Sequence, residues 1–209
     1  MTKEGLPESK KRVEGVEVKR EKKRNAPELK LNRAYVLNLD AGIWEESSGE
    51  THATAHMEEV VVGKGKTILD APAGGACEIT TFFDKGKRLG AVIHTTSLDD
   101  GYKRYIDALL EDVSFSLNSE IHCCVDLIAP ELPPGEEKLI DLSGYESELT
   151  DWLGEVVDYL ISKGFNKIKT VTEGYGKDVT LYTDTGKVEV LDENEKPILT
   201  KKIITKRKQ

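Results

Sequence analysis

The sequence predicts an α/β fold: a mixed β-sheet or sandwich with two helices packed on it. Two observations predict it, a series of short β-rich segments separated by Gly-, Asp- and Lys-containing turns, and two longer segments with apolar residues at helical spacing. The chain has 209 residues, 38% of them hydrophobic and 33% charged, which is typical of one well-cored domain with extensions.

Strands are predicted throughout the first half of the chain. The predicted strands cover residues 35–44, 59–62, 67–69, 78–83 and 89–94. The polar stretch 45–55 predicts a loop, and Gly63 to Lys66 predicts a hairpin turn between the second and third strands. A second turn at residues 84–87 joins the last two of these strands.

The second half of the chain predicts both helices. Residues 98–117 and 145–163 carry apolar side chains three and four positions apart, and Gly164 is placed to cap the second helix. The remaining segments predict strands at 121–128, 167–172, 179–182 and 187–191. Strands alternating with helices in this way favour a mixed sheet over an all-β or all-helical fold.

Charge divides the chain into a body and two basic tails. Residues 1–33 predict a disordered tail with eleven basic and six acidic residues, and residues 201–209 a second basic tail with five basic residues and no acid. Between them we expect a strand and loop extension at 34–56 and the main domain at 57–200. Residues 34–200 have a net charge of −18, which excludes nucleic acid as a partner of the body. Only the tails have the charge to bind nucleic acid, an anionic membrane or an acidic protein, and a solvated extension is the simpler interpretation.

Cysteine content and hydropathy indicate the compartment. The three cysteines, two of them adjacent, do not form a disulfide framework and therefore indicate a reducing environment. Apolar runs are all far shorter than the roughly 20 residues that cross a bilayer, so the sequence predicts no membrane association. We therefore expect a cytoplasmic protein.

A candidate nucleophile follows a run of small residues, Gly74-Gly75-Ala76, that ends at Cys77. Small side chains leave the backbone conformationally permissive and the sulfur open to a reactant. His94 ends the next predicted strand, and an antiparallel pair would bring the start of one strand beside the end of the other. This arrangement predicts cysteine nucleophilic catalysis, with His94 as the acid and base.

Such chemistry requires two further elements. Backbone N–H groups around Gly75 and Ala76 are candidates to stabilise an oxyanion, since small side chains leave them accessible. Asp70, Thr95 and the backbone carbonyl near Ala71 are the candidates for a third group that orients the imidazole. No cofactor or metal is predicted, because the His52 and His56 pair lies in a polar loop and the residues of His122-Cys123-Cys124 alternate between strand faces.

Several short motifs occur in a family-specific order between Met57 and Val190. They are Gly75-Ala76-Cys77, Phe82-Phe83-Asp84, Leu89-Gly90-Ala91, His94, Gly176-Lys177-Asp178-Val179 and Thr185-Gly186-Lys187-Val188. In this order and spacing the segment resembles the chemoreceptor glutamine deamidase family, CheD, whose catalytic fold is shared with toxin deamidases of the cytotoxic necrotizing factor type. Three positions depart from the family pattern: Ala71 stands where Thr is usual, Lys177 stands where Arg is usual, and Ala129-Pro130 replace a Gly-Gly-Ala segment.

The resemblance implies a CheD-like catalytic domain at residues 57–200 with a defined activity. That activity is hydrolysis of a protein glutamine side chain to glutamate and ammonia through a thioester on Cys77, assisted by His94. Its expected partners are a protein substrate with an exposed glutamine, on a signalling protein, and a regulatory protein. The alternative is a catalytically inactive relative that binds a protein partner, which the absence of Thr at Ala71 favours.

Overall fold

The fold is known from a computed structural model that describes most of the chain beyond residue 25. The described residues are 26–39, 41–49, 51–72, 77–96, 101–126, 143–171, 178–191, 195–197 and 201–202. The predicted tail at residues 1–33 therefore lies mostly outside them, as do Gly75 and Ala76.

Twelve strands and two helices make up the described residues. The strands are β1 (Arg33–Asn38), β2 (Ile43–Glu46), β3 (His52–Thr54), β4 (Glu59–Lys64), β5 (Ile68–Ala71), β6 (Cys77–Asp84), β7 (Leu89–Thr96), β8 (Glu120–Asp126), β9 (Ile168–Val171), β10 (Asp178–Tyr182), β11 (Lys187–Leu191) and β12 (Lys201–Lys202). The helices are α1 (Gly101–Asp112) and α2 (Ser143–Ser162).

The strands form a large and a small sheet, both mixed. The large sheet has the order β12-β9-β8-β6-β7-β4-β1-β2, and its neighbours are antiparallel except for the parallel pair β8–β9. The small sheet has the order β11-β10-β5-β3, in which β3 and β5 are parallel. The predicted α/β class with a mixed sheet and two helices is thus confirmed.

The large sheet is covered on both faces, which places it in the middle of the molecule. Its first face packs against the helices, and the buried apolar residues there include Leu37, Val60, Val62, Phe82, Ala91, Ile93, Ile106, Leu109, Ile121, Cys123, Val156 and Leu160. Its second face packs against the small sheet, with Val61, Leu69, Ala71, Cys77, Ile79, Val92, Cys124, Val179 and Leu181. Every residue of β6 is buried, because this strand lies between the two layers.

Gly90 allows the two sheets to approach closely. A Cβ atom at this position would lie 2.7 Å from side-chain atoms of both Leu181 and Thr183, which belong to β10 and the turn after it. Real Cβ contacts are essentially never that short, so any larger residue here would force Leu181 and Thr183 to shift.

Both helices that the sequence predicts are present. α1 buries one face through Tyr102, Tyr105, Ile106 and Leu109 and ends at Asp112, before the predicted end at residue 117; the predicted start at residue 98 lies outside the described residues. α2 ends before Gly164, whose φ of +96° makes it the cap residue that the sequence predicts. Among the described residues, no helix combines the length and apolar character that a membrane crossing needs.

The predicted hairpin around Gly63 to Lys66 is wrong. β4 pairs with β1 and β7 in the large sheet, whereas β5 pairs with β3 and β10 in the small one, so this turn carries the chain between sheets. Thr183 fixes the crossover: its hydroxyl donates to the Gly65 carbonyl at 2.7 Å, and it accepts a hydrogen bond from the Thr67 N–H at 3.1 Å.

The residues predicted as an extension are integral to both sheets. β1 lies between β2 and β4 in the large sheet, and β3, which falls within the predicted loop 45–55, is the last strand of the small sheet. The loop prediction is therefore wrong at residues 45–46, which belong to β2, and at residues 52–54. The predicted C-terminal tail also contributes, because β12 pairs with β9.

Candidate active site

β6 and β7 form an antiparallel pair that carries the two residues singled out by the sequence. Cys77 is the first residue of β6 and pairs with Thr96, and His94 on β7 pairs with Ile79. The predicted relation between the start of one strand and the end of the next is confirmed.

Cys77 and His94 share the face of the large sheet that packs against the small sheet. Directly paired residues point to the same face, and so do residues two apart on one strand, which places Cys77, Ile79 and His94 together. Cys77 and His94 are diagonal neighbours, whose Cβ atoms in a sheet are about 7 Å apart, within the reach of an imidazole.

The His94 ring is held by a main-chain carbonyl. Nδ1 of His94 lies 2.9 Å from the oxygen of Ala55, the residue after β3. A carbonyl only accepts hydrogen bonds, so Nδ1 carries the proton and Nε2 has the lone pair in the neutral ring. This tautomer is the one that a general base acting through Nε2 requires.

Both residues are closed off from solvent in this conformation. Cys77 has no exposed surface and His94 is 2% exposed. All three cysteines are thiols rather than disulfides. A reaction at Cys77 therefore needs an opening of the site before a substrate can reach the sulfur.

The structure places the two predicted supporting side chains elsewhere. Thr95 pairs with Glu78, so it points to the helix-facing side of the sheet, away from the His94 ring. The Asp70 carboxylate accepts hydrogen bonds from Thr54 Oγ1 at 3.1 and 3.2 Å and lies 2.5 Å from Nε2 of His52. The group that holds the His94 imidazole is therefore the Ala55 carbonyl and neither of these side chains. The oxyanion candidates Gly75 and Ala76 lie outside the described residues, so that assignment stays a prediction.

Ala55 is the residue that sequence reasoning missed. It was expected to belong to a polar extension, and the backbone carbonyl proposed for this role was near Ala71. The two positions are connected, because the Ala55 N–H donates to the carbonyl of Asp70 at 2.7 Å. No side chain signals this role, since every residue has a carbonyl and only the fold selects one.

A buried carboxyl lies on the other face, next in sequence to Cys77. Glu78 is 2% exposed, and its Oε1 accepts a hydrogen bond from Thr80 Oγ1 at 2.6 Å. Burial raises the pKa of Glu78 to about 7, although the hydrogen bond from Thr80 acts in the opposite direction. Burial also raises the pKa of the Cys123 thiol on this face, and the nearby Glu78 adds to that effect.

The residue types considered as metal ligands do not form a metal site in the described residues. Cys123 points to the helices and Cys124 to the small sheet, as strand alternation predicts. Among the described residues, no group of three or more His, Cys, Asp or Glu side chains is arranged to hold a metal ion. His122 is buried instead as a neutral ring, because burial and Lys169 lower its pKa to about 4 against the opposing effect of Glu120.

No protein-family model matches this chain, and no curated protein matches it.

Proposed function

We propose that this protein is a cysteine-dependent amidohydrolase whose substrate is the side chain of a protein glutamine. One observation carries the proposal: Cys77 and His94 occupy the same face of paired strands, with the His94 tautomer set by the Ala55 carbonyl. The resemblance of residues 57–190 to the chemoreceptor glutamine deamidases supports the choice of substrate.

The reaction proceeds in two acyl-transfer steps. Nε2 of His94 takes the thiol proton, and the Cys77 sulfur attacks the carboxamide carbon. The C–N bond breaks, His94 returns its proton to the leaving nitrogen, and ammonia departs from a thioester. His94 then takes a proton from water, whose oxygen attacks the thioester carbon. The C–S bond breaks, His94 returns its proton to the sulfur, and glutamic acid, which ionises to glutamate, and the Cys77 thiol are released.

Access is the step that the structure adds to this scheme. The sulfur has no exposed surface, so a glutamine side chain reaches it only after the covering residues move. Closure also keeps water away from the thiol until substrate enters, which favours the acyl transfer over side reactions. We expect opening to limit turnover on a folded protein more than on a short peptide.

The test compares two buried thiols of the same face. Denatured casein, which exposes many glutamines, is incubated with wild type, Cys77→Ser and Cys124→Ser proteins, and ammonia release and substrate mass are measured. We expect wild type and Cys124→Ser to add about 1 Da per converted glutamine and Cys77→Ser to add none. Equal ammonia release by all three proteins, or none by the wild type, would contradict the proposal.

A second candidate function is a catalytically inactive module that binds a protein partner. Two observations favour it: the complete burial of Cys77, and Ala71 at the position where the resembled family has Thr. The distinguishing measurement uses a Cys77→Ser, His94→Ala double variant in pull-down from lysate. Partner capture that is unchanged in this variant, together with no ammonia release by the wild type, would favour the binding module.

A further inference from the structure

Asp70 holds the short segment that ends at Ala55, and it does so through both main chain and side chain. Its carbonyl accepts the Ala55 N–H at 2.7 Å. Its carboxylate accepts from Thr54 Oγ1 at 3.1 and 3.2 Å and lies 2.5 Å from His52 Nε2. The side chains of His52, Thr54 and Asp70 meet because β3 and β5 are parallel with Thr54 paired to Asp70.

The segment needs this anchor because β3 is short and lies at a sheet edge. It has three residues, and β5 is its one neighbour in the small sheet as described. A strand of this length makes few ladder hydrogen bonds, so side-chain contacts contribute a large part of its attachment. Asp70 supplies contacts to three of the four residues from His52 to Ala55.

A displacement of residues 52–55 would move the carbonyl that holds His94, the proposed catalytic base. The Ala55 carbonyl accepts the Nδ1 proton of His94 at 2.9 Å. Thr54, the residue before Ala55, donates to the Asp70 carboxylate. If the carbonyl moves, the preference for the Nδ1–H tautomer falls, and a larger fraction of rings has the proton on Nε2. Such rings cannot accept the thiol proton through Nε2.

We propose that Asp70 is a positioning residue for His94, acting through His52, Thr54 and the carbonyl of Ala55. Its effect on the imidazole tautomer is a structural property of the protein, whereas its effect on turnover rests on the proposed function. The geometry thus gives Asp70 a role one step removed from the direct contact with the imidazole that the sequence suggested.

The experiment measures the tautomer by nitrogen-15 NMR of the His94 ring, assigned by the signals missing from His94→Asn. Asp70→Ala removes the carboxylate, Thr54→Val removes one donor and Thr54→Ser restores it. Thr180→Val is the matched control, since Thr180 pairs with Asp70 from β10, on the side away from Ala55. Ammonia release from denatured casein is measured on the same proteins.

We expect the Nδ1–H tautomer alone in wild type, Thr54→Ser and Thr180→Val, and a mixture of tautomers in Asp70→Ala and Thr54→Val. Turnover should fall about tenfold in the last two. A wild-type tautomer in folded Asp70→Ala would overturn the proposal. If that variant does not fold, a wild-type tautomer in Thr54→Val would overturn it. A mixed tautomer with no ammonia release by any protein supports the positioning role and contradicts the proposed reaction.

Discussion

The two faces of β6 bury polar side chains with opposite consequences. On the face toward the small sheet, Cys77 lies diagonal to His94, whose ring is oriented by the Ala55 carbonyl. On the face toward the helices, Glu78 pairs with Thr95 and accepts a hydrogen bond from Thr80. Both faces exclude water. On the helix-facing side, burial and the nearby Glu78 raise the pKa of the Cys123 thiol and so disfavour its thiolate, whereas Cys77 lies diagonal to an imidazole.

The difference teaches that burial alone does not identify a catalytic residue. Burial raises the pKa of Glu78 to about 7, which is the kind of shift often found in active sites. Glu78 nevertheless faces the helix-packed core, and the residue paired with it is a threonine. Cys77, one position earlier, faces the small sheet together with His94. Strand alternation therefore separates the proposed site from the buried Glu78 carboxyl.

The largest expected effect comes from substituting two adjacent residues of β7, His94 on the face toward the small sheet and Thr95 on the face toward the helices. His94→Asn should lower ammonia release from denatured casein about a thousandfold, because the general acid and base is lost. Thr95→Val should leave it unchanged, since Thr95 points to the helices. Its hydroxyl is buried with no hydrogen-bond partner in the described residues, so the isosteric change leaves no donor unpaired. A loss of turnover in Thr95→Val similar to that in His94→Asn would break the comparison.

The second effect concerns the carboxyl of the helix-facing side. The pKa of Glu78 is raised from 4.5 to about 7 in the folded protein, so the folded state binds more protons than the unfolded state between these values. Its contribution to stability is complete below about pH 4.5 and is lost as the pH rises through 7. Between about pH 5 and pH 8.5 the unfolding free energy of the wild type should fall by about 2 to 3 kcal/mol relative to that of Glu78→Gln.

Urea unfolding at the two pH values measures this difference. Glu78→Gln has a similar shape and keeps an oxygen that can accept a hydrogen bond from Thr80. A difference between the two proteins in how the unfolding free energy depends on pH therefore reports the titration of Glu78. If the unfolding free energies of wild type and variant depend on pH identically, Glu78 has the same pKa in the folded and unfolded states, which would contradict the prediction.

Much of this arrangement follows from the sequence, because the signals involved are local. Apolar and β-branched residues alternate with turn residues around β6 and β7, and they predict both strands and their antiparallel order. Helical spacing predicts α1 and α2 in the same way. Since strand alternation is fixed, the shared face of Cys77 and His94 also follows from the two strands and their register.

The remaining features depend on contacts between distant parts of the chain. The turn after β4 changes sheets because Thr67 meets Thr183, 116 residues away, and a Gly-Lys-Gly-Lys turn has no local sign of that contact. β3 is three mostly polar residues, too short for a pattern. The orienting carbonyl of Ala55 is placed by the parallel pairing of β3 with β5, so the third group of the site could not be found from residue types.

The smallest expected effect concerns the face toward the small sheet. His122 lies on this face, the side of Cys77, and pairs with Thr81. Burial and Lys169 lower the pKa of His122 from 6.5 to about 4, so the unfolded state binds more protons between these values. Its contribution to stability is present above about pH 6.5 and is lost as the pH falls through 4, the reverse of Glu78. As the pH falls from about 7 to 5, the unfolding free energy of the wild type should therefore fall by about 2 kcal/mol relative to that of His122→Gln. Because Glu78 and His122 change stability in opposite directions between about pH 5 and pH 7, their effects largely cancel in the wild type. We therefore expect each single variant to depend on pH more steeply than the wild type or the Glu78→Gln, His122→Gln double variant. A difference in unfolding free energy between wild type and His122→Gln that stays constant from about pH 7 to pH 5 would contradict this prediction.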